Sequence, residues 1–158
     1  MRTMADEKQY ITKEKLNELT EELKELKTTK RAQVAEQLEY ARSLGDLKEN
    51  AEYKEARDMQ ATLEARIATI EDIIANAEII KEGNTNEVTL GSSVTITKVG
   101  DKIEFVYKIV GSTEADIKER KISHLSPLGS AMMGKKKGQF FEFETPNGTV
   151  KYKIIEIN

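Results

Sequence analysis

Residues 12–26 read TKEKLNELTEELKEL, with Leu16, Leu19, Leu23 and Leu26 at spacings of three, four and three. Apolar residues so spaced line one stripe of a helix, the a and d positions of a heptad. Thr12 offers an N-cap hydroxyl, and Glu14 places a negative charge in the first turn, where the helix dipole favours it. The stripe continues at Val34, Leu38 and Ala41, one position out of strict heptad phase, so it drifts around the helix as an unsupercoiled stretch does. From Thr12 to Lys81 there is no proline and one glycine, Gly45, which marks a turn. Beyond it Tyr53, Ala56, Leu63, Ile67, Ile70, Ile74 and Ala77 form a second stripe, interrupted by the polar Gln60. Two helices of about 30 residues, each ~45 Å long at ~1.5 Å per residue, thus pair antiparallel about Gly45. This pairing sets Leu23 and Leu26 near Ile67 and Ile70, and uses Leu44 and Leu47 to close the tip. Narrow stripes with charge on the other faces predict a two-stranded coiled coil over residues 12–80, its tip at 45–53.

Outward from this arm the period changes. Seven further glycines and both prolines follow Glu87. Ser92–Val99 and Lys102–Val110 alternate apolar and polar residues around Gly100-Asp101, a hairpin signal. Gln139–Glu144 and Thr149–Ile157 do the same around Pro146-Asn147-Gly148. Ser126 followed by Pro127 is a cap with proline at the first helical position, opening a short helix over Leu128–Met133. Four strands and one helix predict a small α+β domain over 88–158. A polar linker spans 81–87, and 1–11 is an N-terminal tail. The fold class expected is therefore a two-domain α+β chain, a coiled-coil hairpin followed by a small sheet domain.

Composition narrows the chemistry. The 158 residues include no cysteine and one histidine, His124. This excludes disulfides, thiolate metal sites and thiol nucleophiles, and disfavours Ser-His chemistry. A net charge of -3 is too mild for binding duplex DNA by bulk electrostatics, though a local patch is compatible with it. No apolar run reaches the ~18 residues that span a bilayer, and the first residues lack the apolar stretch of a signal peptide. A cytoplasmic protein without membrane association is expected.

The tip reads Leu44-Gly45-Asp46-Leu47-Lys48-Glu49-Asn50-Ala51-Glu52-Tyr53. Asp46 and Glu49, three apart, have the spacing of a capping box, and spacing alone favours that role over a working acid pair. A ring of Arg42, Lys48, Lys54 and Arg57 around them is more than a cap requires, although such cations also serve as i,i+4 partners of Glu39 and Glu52.

The run Gly45–Tyr53, with Arg42 before it and Ala56-Arg57 after it, resembles the tip signature of the bacterial Gre transcript cleavage factors, most closely the GreA type. The second half is similar to the same family at Ile109-Val110-Gly111, Glu114-Ala115-Asp116, Ile122-Ser123, Ser126-Pro127-Leu128-Gly129 and Gly134-Lys135. The resemblance covers Tyr10 to Asn158. It implies that the sheet domain has the FKBP-like fold and that the chain is an elongation factor, an accessory of RNA polymerase and not itself an enzyme. In the family picture the sheet domain docks beside the polymerase secondary channel, and the arm enters the channel. Asp46 and Glu49 then act as catalytic and metal-binding residues in cleavage of the 3' end of backtracked nascent RNA. The metal implied is Mg²⁺ shared with the polymerase active site and not bound stably by the free protein. Arg42 and Arg57 would meet the RNA backbone, Tyr53 would pack the tip, and Ser126, Pro127 and Leu128 would form the docking lip. A monomer is expected. The alternative is a Gre-like channel adaptor that does not stimulate cleavage, against which the retained Asp46 and Glu49 stand.

Three other signals are discounted. Gly129–Lys135 fits the opening of a phosphate-binding loop, but Lys136 stands where a hydroxyl should meet Mg²⁺, and Gly129 lies in a predicted helix. Lys135-Lys136-Lys137 reads as a solvated turn, and His124 as a local hydrogen-bonding residue. Prolyl isomerase activity is not expected, because aromatics of the sheet domain alternate into its core.

Overall fold

The structure, a computed structural model, describes residues 8–46 and 48–158. It divides into two compact units: Leu16–Asn76, and residues up to Lys15 together with Ala77–Asn158.

The first unit is the helical hairpin. Its outgoing limb runs through α1 (Lys13–Glu25), a π-helical segment (Leu26–Lys30) and α2 (Arg31–Ser43), and α3 (Ala51–Ala75) returns. Val34, Leu63 and Ile67 form the buried centre of the seam, with Leu23, Leu26 and Leu38 packed against them. Leu19 and Ile70 are buried as well. The π segment adds a residue to one turn and so resets the phase between Leu26 and Val34, where the sequence stripe slips. Ion pairs bracket the seam: Arg31 grips Glu64 with two hydrogen bonds at 2.8 and 2.7 Å, and Arg66 grips Glu22 at 2.7 and 2.9 Å. The Arg31 hydrogen bond holds the Glu64 carboxyl below its ordinary range. Its contribution is therefore present above that range and is lost as pH falls through the lowered pKa. It is small, because the pair is exposed. The seam carries the stability, and Ile67→Ala is expected to cost about 2–4 kcal/mol. Amide exchange along both limbs checks this: protection should fall around Leu23 in α1 and Ile67 in α3.

Two expectations for this unit are corrected. Leu44 does not close the tip: it is half exposed, because the chain turns away at Gly45 (φ 128°) before a second apolar layer forms. Leu47 lies outside the described residues. The returning helix does not reach residue 80. Asn76 ends it, and Ala77–Ile79 form a strand, β2, paired in parallel with β1 (Gln9–Ile11). β-Branched residues at Ile79 and Ile80 favour that extended backbone.

The second unit is built on a five-stranded sheet of order β5-β4-β3-β7-β6, with β3 (Ser93–Lys98), β4 (Glu104–Val110), β5 (Lys121–Ser123), β6 (Phe140–Thr145) and β7 (Gly148–Ile157). The two hairpins predicted from alternation are β3–β4 and β6–β7, both antiparallel. β7 also pairs antiparallel with β3, joining the hairpins. β5 was not foreseen: its three residues pair in parallel with β4 and are too few to show a period. One face carries the core of Val94, Ile96, Ile109, Ile154 and Phe141, closed by Met132 of α4 (Pro127–Met132).

The expected tail is corrected at its end. Gln9–Ile11 is β1, and Ile11 is fully buried; residues 1–7 lie outside the described residues. Thr12 caps α1, its hydroxyl accepting from the Lys15 amide at 3.2 Å. The Thr12 amide and hydroxyl both donate to the buried Glu114 carboxylate, at 3.0 and 2.9 Å, and Lys121 Nζ stands 3.8 Å from it. A buried carboxylate with two donors and a nearby cation is satisfied, and within the sheet unit it fastens Thr12 to the 3₁₀ turn at Ser112–Glu114.

Candidate functional site at the hairpin tip

The tip connects α2 to α3. Ala41 is buried, and its carbonyl accepts from Asn50 Nδ2 at 2.6 Å. The same Asn50 is the N-cap of α3, its Oδ1 accepting from the Tyr53 amide at 3.0 Å. One amide side chain therefore stops one helix and starts the other. Asn50→Ala should cost about 1 kcal/mol or somewhat more, since a cap and a cross-turn bond go together. A lower melting temperature with unchanged helix content at 25 °C would be the observed form.

This corrects the capping-box reading. Asp46 and Glu49 do not cap α3, because the helix begins at Ala51 and Asn50 already holds the cap. Asp46 Oδ1 accepts from the Lys48 amide at 3.0 Å, a local turn of the Asx kind. Glu49 precedes the cap. Both side chains are exposed, as are Arg42, Lys48, Lys54 and Arg57. Spacing suggested the wrong cap because Asn50 supplies the same chemistry one residue beyond Glu49.

The cations divide. Arg42 sits over the Tyr53 ring at 6.0 Å, which orients both, and Tyr53 is half-buried in the manner of a packing residue. Arg57 donates to Gln60 at 2.9 Å on the same helix. Lys48, Lys54 and Arg57 line an open recess of about 350 Å³ with Glu49, Asn50, Ala51 and Tyr53. Two carboxylates and Lys48 are thus exposed on one short turn tied by Asn50, with Arg42, Lys54 and Arg57 exposed on the flanking helices. Carboxylate oxygens are the hard donors that Mg²⁺ takes, and an exposed pair leaves room for the waters that Mg²⁺ retains. Among the described residues no three His, Cys, Asp or Glu side chains gather to hold a metal. In donor chemistry alone, the two tip carboxylates fit Mg²⁺.

The other residues singled out in the sequence lie in the sheet unit. Ser126 caps α4: its Oγ accepts from Gly129 N at 3.0 Å and donates to Ser123 O at 2.7 Å. Pro127 is exposed, whereas Leu128 is partly buried against the core. The open apolar side chain at this turn is Leu125, 69% exposed, which sequence reasoning missed. Its position before a cap was the available signal. His124 stands edge-on to Tyr10, with ring centroids 5.8 Å apart. Among the described residues no helix is long and apolar enough to cross a membrane.

A helical hairpin with an exposed acidic turn, in one chain with a mixed α+β sheet unit, defines a two-unit α+β chain whose hairpin ends in an exposed charged tip. Family models assign both units: residues 9–79 match "Transcription elongation factor, N-terminal", and residues 83–158 match "Transcription elongation factor, GreA/GreB, C-term". The chain is 48% identical over 149 residues to the transcription elongation factor GreA of Caldanaerobacter subterraneus subsp. tengcongensis, covering 93% of this chain and 95% of the relative. It is 46% identical over 157 residues to that of Clostridium acetobutylicum, covering 98% and 99%. This chain belongs to the GreA/GreB family of transcription elongation factors. Among solved structures, that of GreA factor homolog 1 of Thermus thermophilus shares 26% identity over 96% of this chain and 99% of its own, with a TM-score of 0.45.

Proposed function

We propose that this chain stimulates RNA polymerase to cleave the 3' end of backtracked RNA, lending Asp46 and Glu49 to the polymerase's own Mg²⁺-dependent chemistry. The observation that carries this is the exposed acid pair on a turn whose capping is already done by Asn50, which leaves both carboxylates without a structural requirement at the helix start. Phosphodiester hydrolysis by two ions roughly 3.5–4 Å apart needs one to activate water and one to stabilise the leaving oxygen. Asp46 and Glu49 would supply oxygen ligands to the more weakly held ion and raise its occupancy. Arg42 and Arg57 would meet the RNA backbone, a contact that positions without reading sequence. The sheet unit would dock on the polymerase through the turn at Ser126-Pro127, with Leu125 exposed beside it and Leu128 bracing the turn from the core. The free protein binds no Mg²⁺ stably on this account, acts as a monomer in the cytoplasm, and has no active site of its own.

The test is to incubate the protein with a stalled, backtracked elongation complex and follow the RNA. Shortened RNA supports the proposal. Blocked nucleotide entry without shortening would instead make it a channel adaptor, and no binding would sink both.

A further inference from the structure

We propose that the outer face of the sheet at β6 and β7, centred on Phe140, binds single-stranded nucleic acid without sequence preference. Phe140 begins β6 with its ring turned away from the core, 49% exposed. In the β6–β7 register it stands opposite Lys153, and Glu142 stands opposite Lys151, so all four lie on one face. The ammonium groups of Lys151 and Lys153 lie 5.3 and 5.7 Å from the Phe140 ring centroid. The next strand adds Thr97 beside Lys153 on that face. Two further exposed lysines, Lys136 and Lys137, stand on the turn leading into Phe140. That turn is closed by hydrogen bonds between Lys136 and Gln139 and by the Gly138 amide on Ile154 O at 2.8 Å.

A large aromatic residue half in water at the start of an edge strand does nothing for the core. With Lys151 and Lys153 at the ring and Lys136 and Lys137 on the turn leading into it, the half-exposed ring offers a stacking surface beside cations, the combination that holds single strands. Glu142 and Glu144 share this face of β6 and oppose such binding; Glu142 faces Lys151 at 3.8 Å, so the cationic excess comes from Lys153 and from Lys136 and Lys137 on the turn. An acidic peptide would satisfy the charges but brings no flat π surface to the ring, so the aromatic favours a nucleobase. The lysine run, which has no role in the tip chemistry, thereby acquires one. The surface belongs to the sheet unit and is independent of whether the tip acts in cleavage.

Fluorescence anisotropy of a labelled oligouridylate of about 12 nucleotides tests this. The full chain carrying Arg42→Ala, Lys48→Ala, Lys54→Ala and Arg57→Ala is used, so that the tip cations do not contribute. Phe140→Ala should weaken binding about tenfold or more, and Phe140→Trp should preserve or tighten it, because stacking is worth ~1–3 kcal/mol per base. Four lysine contacts predict a slope of log K against log salt near about -3, and Lys153→Gln should make it shallower by about 0.7. Circular dichroism must show each variant folded, as expected for exposed positions. Absence of saturable binding at low salt overturns the proposal, as does equal affinity in Phe140→Ala. It also fails if Phe140→Ala weakens only binding of a labelled polyglutamate and not of the oligonucleotide.

Discussion

Asp46→Asn and Glu49→Gln are each expected to abolish most of the stimulated RNA cleavage while leaving the protein folded and bound to polymerase. Asp46→Asn keeps a side-chain oxygen to accept from the Lys48 amide, so the turn survives. Glu49→Gln changes nothing in the cap, because Asn50 fills that role. Each loses the negative charge that a hard Mg²⁺ requires. If a carboxylate raises the occupancy of a weakly held ion, higher Mg²⁺ should recover part of the activity by mass action. A tenfold loss corresponds to about 1.4 kcal/mol of transition-state stabilisation, and a loss of about a hundredfold or more per residue is the expected scale. Cleavage at wild-type rates by both variants at low Mg²⁺ would leave the tip acids without a catalytic role. Loss of polymerase binding alongside cleavage would instead make them docking residues.

A large loss of stability is expected from a single added methyl group at Gly111. A Cβ there would stand 1.8 Å from the Tyr10 carbonyl oxygen and 2.9 Å from its carbon, both backbone atoms that no rotamer change can move. The backbone angle at Gly111 is ordinary (φ −70°), so the demand is purely for space. Gly111→Ala must therefore push β1 off the 3₁₀ turn. That shift strains the pair of bonds from Thr12 to Glu114 and the Ile80 amide on Ile11 O at 2.9 Å. A loss of about 3 kcal/mol, the top of the overpacking range, is expected, lowering the melting temperature by about 6–12 °C. Hydrogen exchange at the amides of β1 and β2 localises it. Protection unchanged there would mean that the segment carrying Tyr10 rests loosely on the sheet unit.

The hairpin and the two antiparallel strand pairs were legible because each is a local pattern. Leu16, Leu19, Leu23 and Leu26 repeat at helical spacing, and Val94, Ile96 and Ile154 alternate, since one face of each element must leave water. The register of β6 on β7 follows from the short turn between Thr145 and Gly148. Ile11, Ile79 and the three residues of β5 carried no such signal. A strand that short shows no period, and a parallel pair joins segments with no turn between them to announce it. The acid pair was visible as residues and ambiguous as function, because Asp-x-x-Glu serves a cap as well as an ion.

What the sequence determined by itself is therefore the two-unit plan, the identity of the tip and its charge, for these depend on residues near one another along the chain. Tertiary structure alone decided three things. It gave the cap to Asn50, because only the placement of Ala41 beside it lets one amide serve both helices. It joined β1 to β2 and Thr12 to Glu114, 102 residues apart, because a buried carboxylate takes whatever donors the fold brings to it. It also put Leu128 against the core and left Leu125 and Phe140 in solvent, because which face of a short helix or edge strand is covered depends on what packs there and not on the residue alone.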